Sequence, residues 1–353
     1  MKLLPYTIKV VDAYSKGLNQ IKILKKGELD KIFSVLKKVN KDFKKNRIKN
    51  PDSAKTLTGY FKNLKKIDEK LKIAYNEKDQ LLTTTRLYMR DTGKEIVKEI
   101  NKLGKGFLFF AQNYRNFPLP GGGGDKKNEI SSFAHIGLSF AEELFDDLQI
   151  LKTILKHIDK NPLGSVNGYG SDLLLPREFL TKELKFQEIQ INSYYCLKTA
   201  GKFENLFLDC LFQTILTLDR FFLEIIELSQ KKKDFLRILS KKHDLNEMIK
   251  IKNHLQTFYK NQQNLKKFAK ESRDGKKLNF KTLEKLLTEN VEITLQSLKA
   301  ARIFLKHLKP NTASINKLNP QFYNQNRLSK VLSLGSVGNL DLNHYKRSYF
   351  RER

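Results

Sequence analysis

The chain has 353 residues, of which 40% are hydrophobic, so it can bury a large core and global disorder is excluded. Its formal net charge of +29 at pH 7 raises nucleic acid, anionic lipid or an acidic ligand as partners, although most of the excess is lysine, which fits a solvated surface as well as a binding face. Two cysteines and an N-terminus without a secretory leader pattern lead us to expect a cytoplasmic protein.

The first half of the chain carries helical patterns. In residues 27–39, apolar side chains recur on one face of a helix. From Ser131 to Ile158 an apolar stripe continues over many turns, and Ser131 or Ser132 is placed to cap that helix.

The second half continues in the same way. Residues 203–228 are apolar on most faces, which predicts a helix at the centre of a bundle, and their charged residues argue against a membrane span. Further amphipathic helices are predicted over residues 245–268 and 280–308. Cys196 and Cys210 are expected on one helix as buried thiols, too far apart for a disulfide. With no convincing strand pattern, the sequence predicts an all-α, elongated helix bundle.

The helical pattern is interrupted at a glycine run, a Gly/Pro-rich loop and a basic connection, followed by a polar tail. These are residues 121–124, residues 161–179, residues 231–244 and the stretch from Lys309 onward. We predict a shortened N-terminal helical domain, a central long-helix domain and a truncated C-terminal tail. Their boundaries are residues 1–78, 79–309 and 310–353.

One loop carries a specific resemblance. Residues 161–170 read NPLGSVNGYG and are followed by LPRE. This resembles the signature loop of argininosuccinate lyases, in the fumarase/aspartase superfamily, except that Pro176 stands where the family has Asp. Other stretches match in order over roughly residues 3 to 310. They read LLPYTI, DQLLTTTRLYMRD, SSFAHIGLSFAEELFDDLQILK, NSYYCLKTAGKFE and VEITLQSL.

The resemblance implies an all-α protomer whose long central helices pack into the core of a homotetramer, with each active site built from three subunits. It implies a C–N lyase of arginine biosynthesis, which splits argininosuccinate into arginine and fumarate by β-elimination. It implies neither an organic cofactor nor a metal. The residues agree on metal, because no histidine lies at metal-ligand spacing from another histidine or a cysteine.

The family's chemical positions are largely replaced. In its first motif Asp79 and Gln80 remain, but Glu77 stands in place of an arginine. In the second motif, the catalytic Thr-His pair matches Gly123 and Gly124. Glycine has no side chain with which to transfer a proton. The glycine run is therefore predicted to be a loop that has lost its chemistry.

The third motif, on a mobile loop in the family, is also changed. Its general-base serine matches Leu236, while Lys241 and Lys242 are kept. With Asp79 and Gln80, these lysines are the predicted remnants of a substrate-binding site. Fallback catalytic candidates are Ser240, after a shift of register, and His135, one turn beyond the glycine loop. The fourth motif is not kept: its Tyr, Asp, Gln and Lys positions match Lys276, Asn279, Lys281 and Glu284.

Three functions remain open. The first is a catalytically impaired or inactive lyase scaffold, which acts as a regulatory partner in a homotetramer or in a hetero-oligomer with an active relative, with an anionic metabolite as a possible ligand. The second is an active lyase with relocated groups at Ser240, Lys242 and His135. The third is binding of nucleic acid or another polyanion through the lysine-rich surface.

Overall fold

A computed structural model of the chain describes most residues. The described ranges are 2–48, 53–61, 70, 77–121, 129–166, 168–229, 234–239, 244–271, 280–318, 325–331, 335–337 and 339–348.

The fold is all-α, as predicted, with long helices that follow the apolar periodicity. The helices are α1 Leu4–Gln20, α2 Lys26–Lys44, α3 Ser53–Phe61, α4 Glu77–Asn113, α5 Phe133–Ile158, α6 Arg177–Glu183, α7 Ser193–Lys198, α8 Lys202–Ser229, α9 Asp244–Glu271, α10 Phe280–Lys306, α11 Thr312–Ile315, α12 Gln325–Leu328 and α13 Leu342–Ser348. No helix in the described ranges is long and apolar enough to cross a membrane.

The segments between the helices contain short paired strands that the sequence pattern did not predict. The antiparallel pairs are β1 Pro118–Pro120 with β2 Ile130–Ser132 and β5 Leu236–Ile238 with β6 Leu308–Pro310, and the parallel pair is β3 Lys160–Asn161 with β4 Glu188–Ile189. Strands of two or three residues are too short to show an alternating pattern, so no periodicity in the sequence predicts them.

The predicted cap of α5 is confirmed. The backbone N–H of His135 donates to Ser132 Oγ at 3.1 Å, so Ser132 satisfies one of the free donors at the start of the helix. The expectation that Cys196 and Cys210 share one helix is wrong. They lie on α7 and α8, separated at Gly201, whose φ of +83° is incompatible with a continuous helix. Both are buried free thiols, as predicted.

The chain divides into two compact units, each assembled from separate stretches. The first unit comprises Met1–Lys94, Thr153–Leu208 and Asn261–Asn290, and the second comprises Glu95–Lys152, Asp209–Lys260 and Val291–Arg353. These units are defined by contacts between residues and not by the order of residues along the chain. The three consecutive domains suggested by the sequence stay a prediction.

Each unit has its own core. In the first, α1, α2 and α3 pack around buried leucines and valines together with Leu163 and Leu180. In the second, edge-to-face and tilted aromatic rings dominate. The ring centroids of Phe107 and Phe221 are 5.0 Å apart, and those of Phe222 and Phe304 are 5.1 Å apart. Burial of such large side chains is the main stabilising contribution to both units.

Candidate functional site

In the first unit, the start of α4 is fastened to the Gly/Pro-rich loop by Asp79. One carboxylate oxygen, Oδ2, accepts the backbone N–H groups of Gly164 and Val166, each at 3.0 Å. Gly164 has φ +88°, a left-handed conformation that turns its N–H toward the helix. Asp79, predicted to be a substrate-binding remnant, is thus 2% exposed and holds this loop in place.

Burial dominates the electrostatics of Asp79. Desolvation raises the pKa of its carboxyl to about 7, against the lowering effects of the two loop N–H groups and of Arg177. The other carboxylate oxygen and both amide atoms of Gln80 are buried without a hydrogen-bond partner among the described residues. The kept Asp-Gln pair is therefore buried in the first unit.

Arg177 organises the other side of the same loop. Its guanidinium donates to backbone carbonyls at 2.8 to 3.4 Å, and so joins the loop to the segment before α7. The acceptors are the carbonyl oxygens of Asn161, Leu163, Gln190 and Ile191. A planar fork with five donors suits this task better than a lysine would. The Arg of the signature loop is therefore engaged with the protein's own backbone.

A buried ionic network beside the loop was missed by sequence reasoning. Arg86, 1% exposed, donates to the Lys160 carbonyl at 2.8 Å and to Thr199 Oγ1 at 3.0 Å. Burial lowers the pKa of Arg86, and the nearby Glu204 carboxylate opposes that effect. Glu204 accepts from Thr85 at 3.2 Å and from Gly201 N–H at 3.0 Å. Charged residues within an otherwise apolar helical face were the signal that could have found this network.

In the second unit, His135 lies in the first turn of α5. Its Nδ1 is 3.2 Å from Ser131 Oγ. Burial lowers the pKa of His135, and the Glu142 carboxylate has the opposite, smaller effect. The ring is therefore neutral at pH 7, and it can accept a proton.

Leu236, which the sequence predicts at the family's general-base position, lies in β5 of the second unit. Its side chain is 2% exposed and lines an apolar cavity of about 10 Å³, which has room for no more than about one water molecule. The other lining residues are hydrophobic or glycine. They include Phe133, Ile136, Phe140 and Leu308. No group at this position can take or give a proton.

The remaining predicted residues divide into two sets. Outside the described residues lie Gly123, Gly124, Ser240, Lys241, Lys242, Lys276 and Asn279. Of the described fourth-motif positions, Lys281 is exposed on α10 and Glu284 is buried. Within the part of the chain that the structure describes, no three His, Cys, Asp or Glu side chains are grouped to hold a metal ion.

Sequence comparisons agree with this architecture. The profile of a family described as lyase matches residues 1–243. Argininosuccinate lyase of Thermotoga neapolitana is 30% identical over 62% of this chain and 56% of its own length. That of Phocaeicola vulgatus is 28% identical over 54% of this chain and 44% of its own length. The chain thus spans about half the length of the curated relatives it matches.

Solved structures share the fold. The crystal structure of EDDS lyase in complex with formate aligns with a TM-score of 0.72 at 14% identity, over 89% of this chain and 64% of its own. The 3-carboxy-cis,cis-muconate lactonizing enzyme from Pseudomonas putida aligns with a TM-score of 0.68 at 14% identity, over 88% of this chain and 73% of its own. At such identities the likeness concerns the fold alone.

Proposed function

Because the chain belongs to the lyase family, as a divergent argininosuccinate lyase-like member, we propose that it is a lyase scaffold that has lost the elimination chemistry. Its role is that of a cytoplasmic regulatory or structural partner, as a homotetramer or in mixed oligomers with an active relative. The observation that carries the proposal is Leu236: the leucine that the sequence predicts at the position of the family's general base is buried and lines an apolar cavity.

The substitutions at the other positions support the same proposal. Gly123 and Gly124 offer no side chain where the family has its Thr-His pair, and Glu77 places a negative charge where an arginine would bind a carboxylate. Loss of either proton-transfer group alone commonly costs several orders of magnitude in rate. Loss of the base, the acid and the anion-binding arginine together removes useful elimination.

The scaffold, in contrast, is supported by specific contacts. Asp79 and Arg177 form hydrogen bonds with the signature loop and its surroundings, and the Arg86–Glu204 network stabilises the adjoining helices. These residues maintain the fold without taking part in proton transfer. A chain that keeps them and lacks the reacting groups is suited to assembly, or to holding an anionic metabolite without turning it over.

We expect purified protein to release no fumarate from argininosuccinate above the uncatalysed background. Fumarate is followed by its ultraviolet absorbance, and light scattering gives the molar mass of the same sample. The Thermotoga neapolitana relative, prepared in parallel, is the positive control. Turnover proportional to protein concentration would overturn the proposal. Co-purification with an active relative, with a changed rate per site, would support the regulatory role.

A second candidate is an active lyase with relocated groups, and the contact between Ser131 and His135 favours it. A neutral imidazole 3.2 Å from a hydroxyl is the arrangement that a general base requires. If the wild type shows turnover, we expect His135→Asn to lower kcat by about 100-fold or more. The wild-type rate should also stay level as the pH falls to 6.5, because the pKa of His135 is lowered.

The control for this test is His307→Asn, since His307 is an exposed histidine that follows α10. An equal effect of both substitutions, or none from His135→Asn, would exclude His135 as the base. The remaining candidates for the relocated catalytic groups would then be Ser240 and Lys242, which lie outside the described residues.

A further inference from the structure

An exposed aromatic surface lies on the first unit, at the tip of the Gly/Pro-rich loop and on α7. We call Tyr169, Tyr194 and Tyr195 with Lys198 and Lys202 the Tyr-Lys patch. The tyrosines are 85%, 49% and 43% exposed. An aromatic ring costs free energy when it is left in water, so three neighbouring exposed rings indicate a binding surface.

The rings are held in place by the local backbone. Ser193 Oγ donates to the Gly168 carbonyl at 3.0 Å, which ties the start of α7 to the loop tip. Gly168 has φ +88° and brings Tyr169 to Tyr194, with ring centroids 5.8 Å apart and planes 35° apart. The Asn192 side chain caps α7 by accepting the N–H of Tyr195 at 2.8 Å. The tyrosine rings of the Tyr-Lys patch are therefore held in position without a bound partner.

The two lysines place positive charge directly on these rings. Lys198 Nζ lies 4.7 Å from the centre of the Tyr194 ring. Lys202 Nζ lies 5.5 Å from the centre of the Tyr195 ring and donates to the Tyr195 hydroxyl at 3.2 Å. Neither ammonium pairs with a carboxylate of a described residue, so both charges remain available to an anion. The net charge of +29 attracts such an anion to the chain as a whole.

From this juxtaposition we propose that the Tyr-Lys patch binds single-stranded nucleic acid, with bases stacked on the tyrosine rings and phosphates paired with Lys198 and Lys202. Alternating aromatic faces and cations match the alternation of bases and phosphates along a single strand. A duplex hides its base faces, so it can use the lysines but not the rings. The proposal does not depend on the proposed function.

Fluorescence anisotropy with a labelled oligothymidylate of about 12 nucleotides tests the proposal. We expect the double variant Tyr169→Ala/Tyr194→Ala to weaken binding at least about 5-fold, because the bases lose the aromatic rings on which they stack. Tyr194→Phe keeps the ring and should bind like the wild type. Tyr259→Ala, at another exposed tyrosine, is the matched control. Circular dichroism checks that the exposed substitutions leave the helices intact.

The lysines have a separate readout. Lys198→Gln/Lys202→Gln should reduce the dependence of log Kd on log salt by about 1.4, since about 0.7 counterion is released per phosphate neutralised on a single strand. Lys306→Gln, at an exposed lysine of α10, shows the effect of one charge elsewhere.

Three results would overturn the proposal. One is the absence of salt-dependent binding by the wild type. Another is binding that is unchanged by loss of the tyrosines, or equally tight to a duplex, because the protein would then be a general polyanion binder. The third is a lower molar mass of the tyrosine variant with unchanged binding, which would assign the patch to a contact between copies of the chain.

Discussion

Asp79→Ala is expected to lower the free energy of unfolding by about 2–5 kcal/mol. The substitution leaves the N–H groups of Gly164 and Val166 buried without their acceptor, and each such group costs about 1–3 kcal/mol. Removing a carboxyl whose burial is itself unfavourable recovers part of that loss. Urea unfolding, followed by circular dichroism, measures the change.

The matched control is Asp79→Asn, whose amide oxygen can still accept both N–H groups. We expect it to be less destabilising than the alanine variant. If alanine and asparagine cost the same, or if neither changes stability, the two hydrogen bonds do not hold the loop in solution.

A comparison of the wild type with Asp79→Asn reveals the ionisation of Asp79. Its pKa is about 7 in the folded protein and 3.8 in an unperturbed chain. Between these values the folded state holds a proton that the unfolded state has released, so stability falls as pH rises from about 4 to about 7. The slope is at most about 1.4 kcal/mol per pH unit. Asp79→Asn lacks this contribution.

The difference in stability between wild type and Asp79→Asn should therefore change steadily over that pH range. Asp147, whose pKa burial raises to about 6, adds a dependence of the same sign to both proteins and cancels in the comparison. A difference that is constant from pH 4 to pH 7 would mean that Asp79 titrates alike in the folded and unfolded states.

Gly201→Ala is expected to cost about 2–5 kcal/mol, for two reasons that can be separated. The backbone at Gly201 has φ +83°, which an L-residue adopts only with strain. A Cβ there would also lie 2.7 Å from Ala269 Cβ and 3.0 Å from Ala269 Cα on α9, and a helix backbone cannot move aside cheaply. Thermal and urea unfolding both report the loss.

Gly170→Ala separates the two effects. Gly170 has φ +81°, but no atom lies within 4 Å of the Cβ it would gain, so only the backbone strain remains. We expect it to cost about 1 kcal/mol. Equal losses at the two positions would show that α9 does not approach Gly201 as closely in solution.

Local patterns in the sequence predicted the long helices well. The stripe from Ser131 to Ile158 became α5, with Ser132 as its cap, and residues 203–228 became most of α8. Such elements are dictated by periodicity and by capping chemistry, which act within a few residues. The expectation for Cys196 and Cys210 failed because apolar periodicity does not register one residue with a positive φ.

The family was also readable from the sequence, and the loss of its reacting side chains is predicted there, because both depend on residue identity. Leu236, Gly123 and Gly124 carry no proton-transfer group in any fold. What those positions contact is a different matter. Only the structure places Leu236 in an apolar cavity, and only the structure unites Asp79 with a loop 85 residues further along the chain.

The sequence by itself thus determined the helical class and the family, since each follows from residue types and short-range spacing, and it predicts the loss of the family's reacting side chains. The tertiary structure decided the roles of the retained polar residues: Asp79 and Arg177 form hydrogen bonds with backbone groups, and Arg86 donates to the Lys160 carbonyl and to Thr199. It also decided that Tyr169 lies beside Tyr194. These are contacts between residues distant in the chain, and they form only when packing brings the segments together and excludes water from the groups between them.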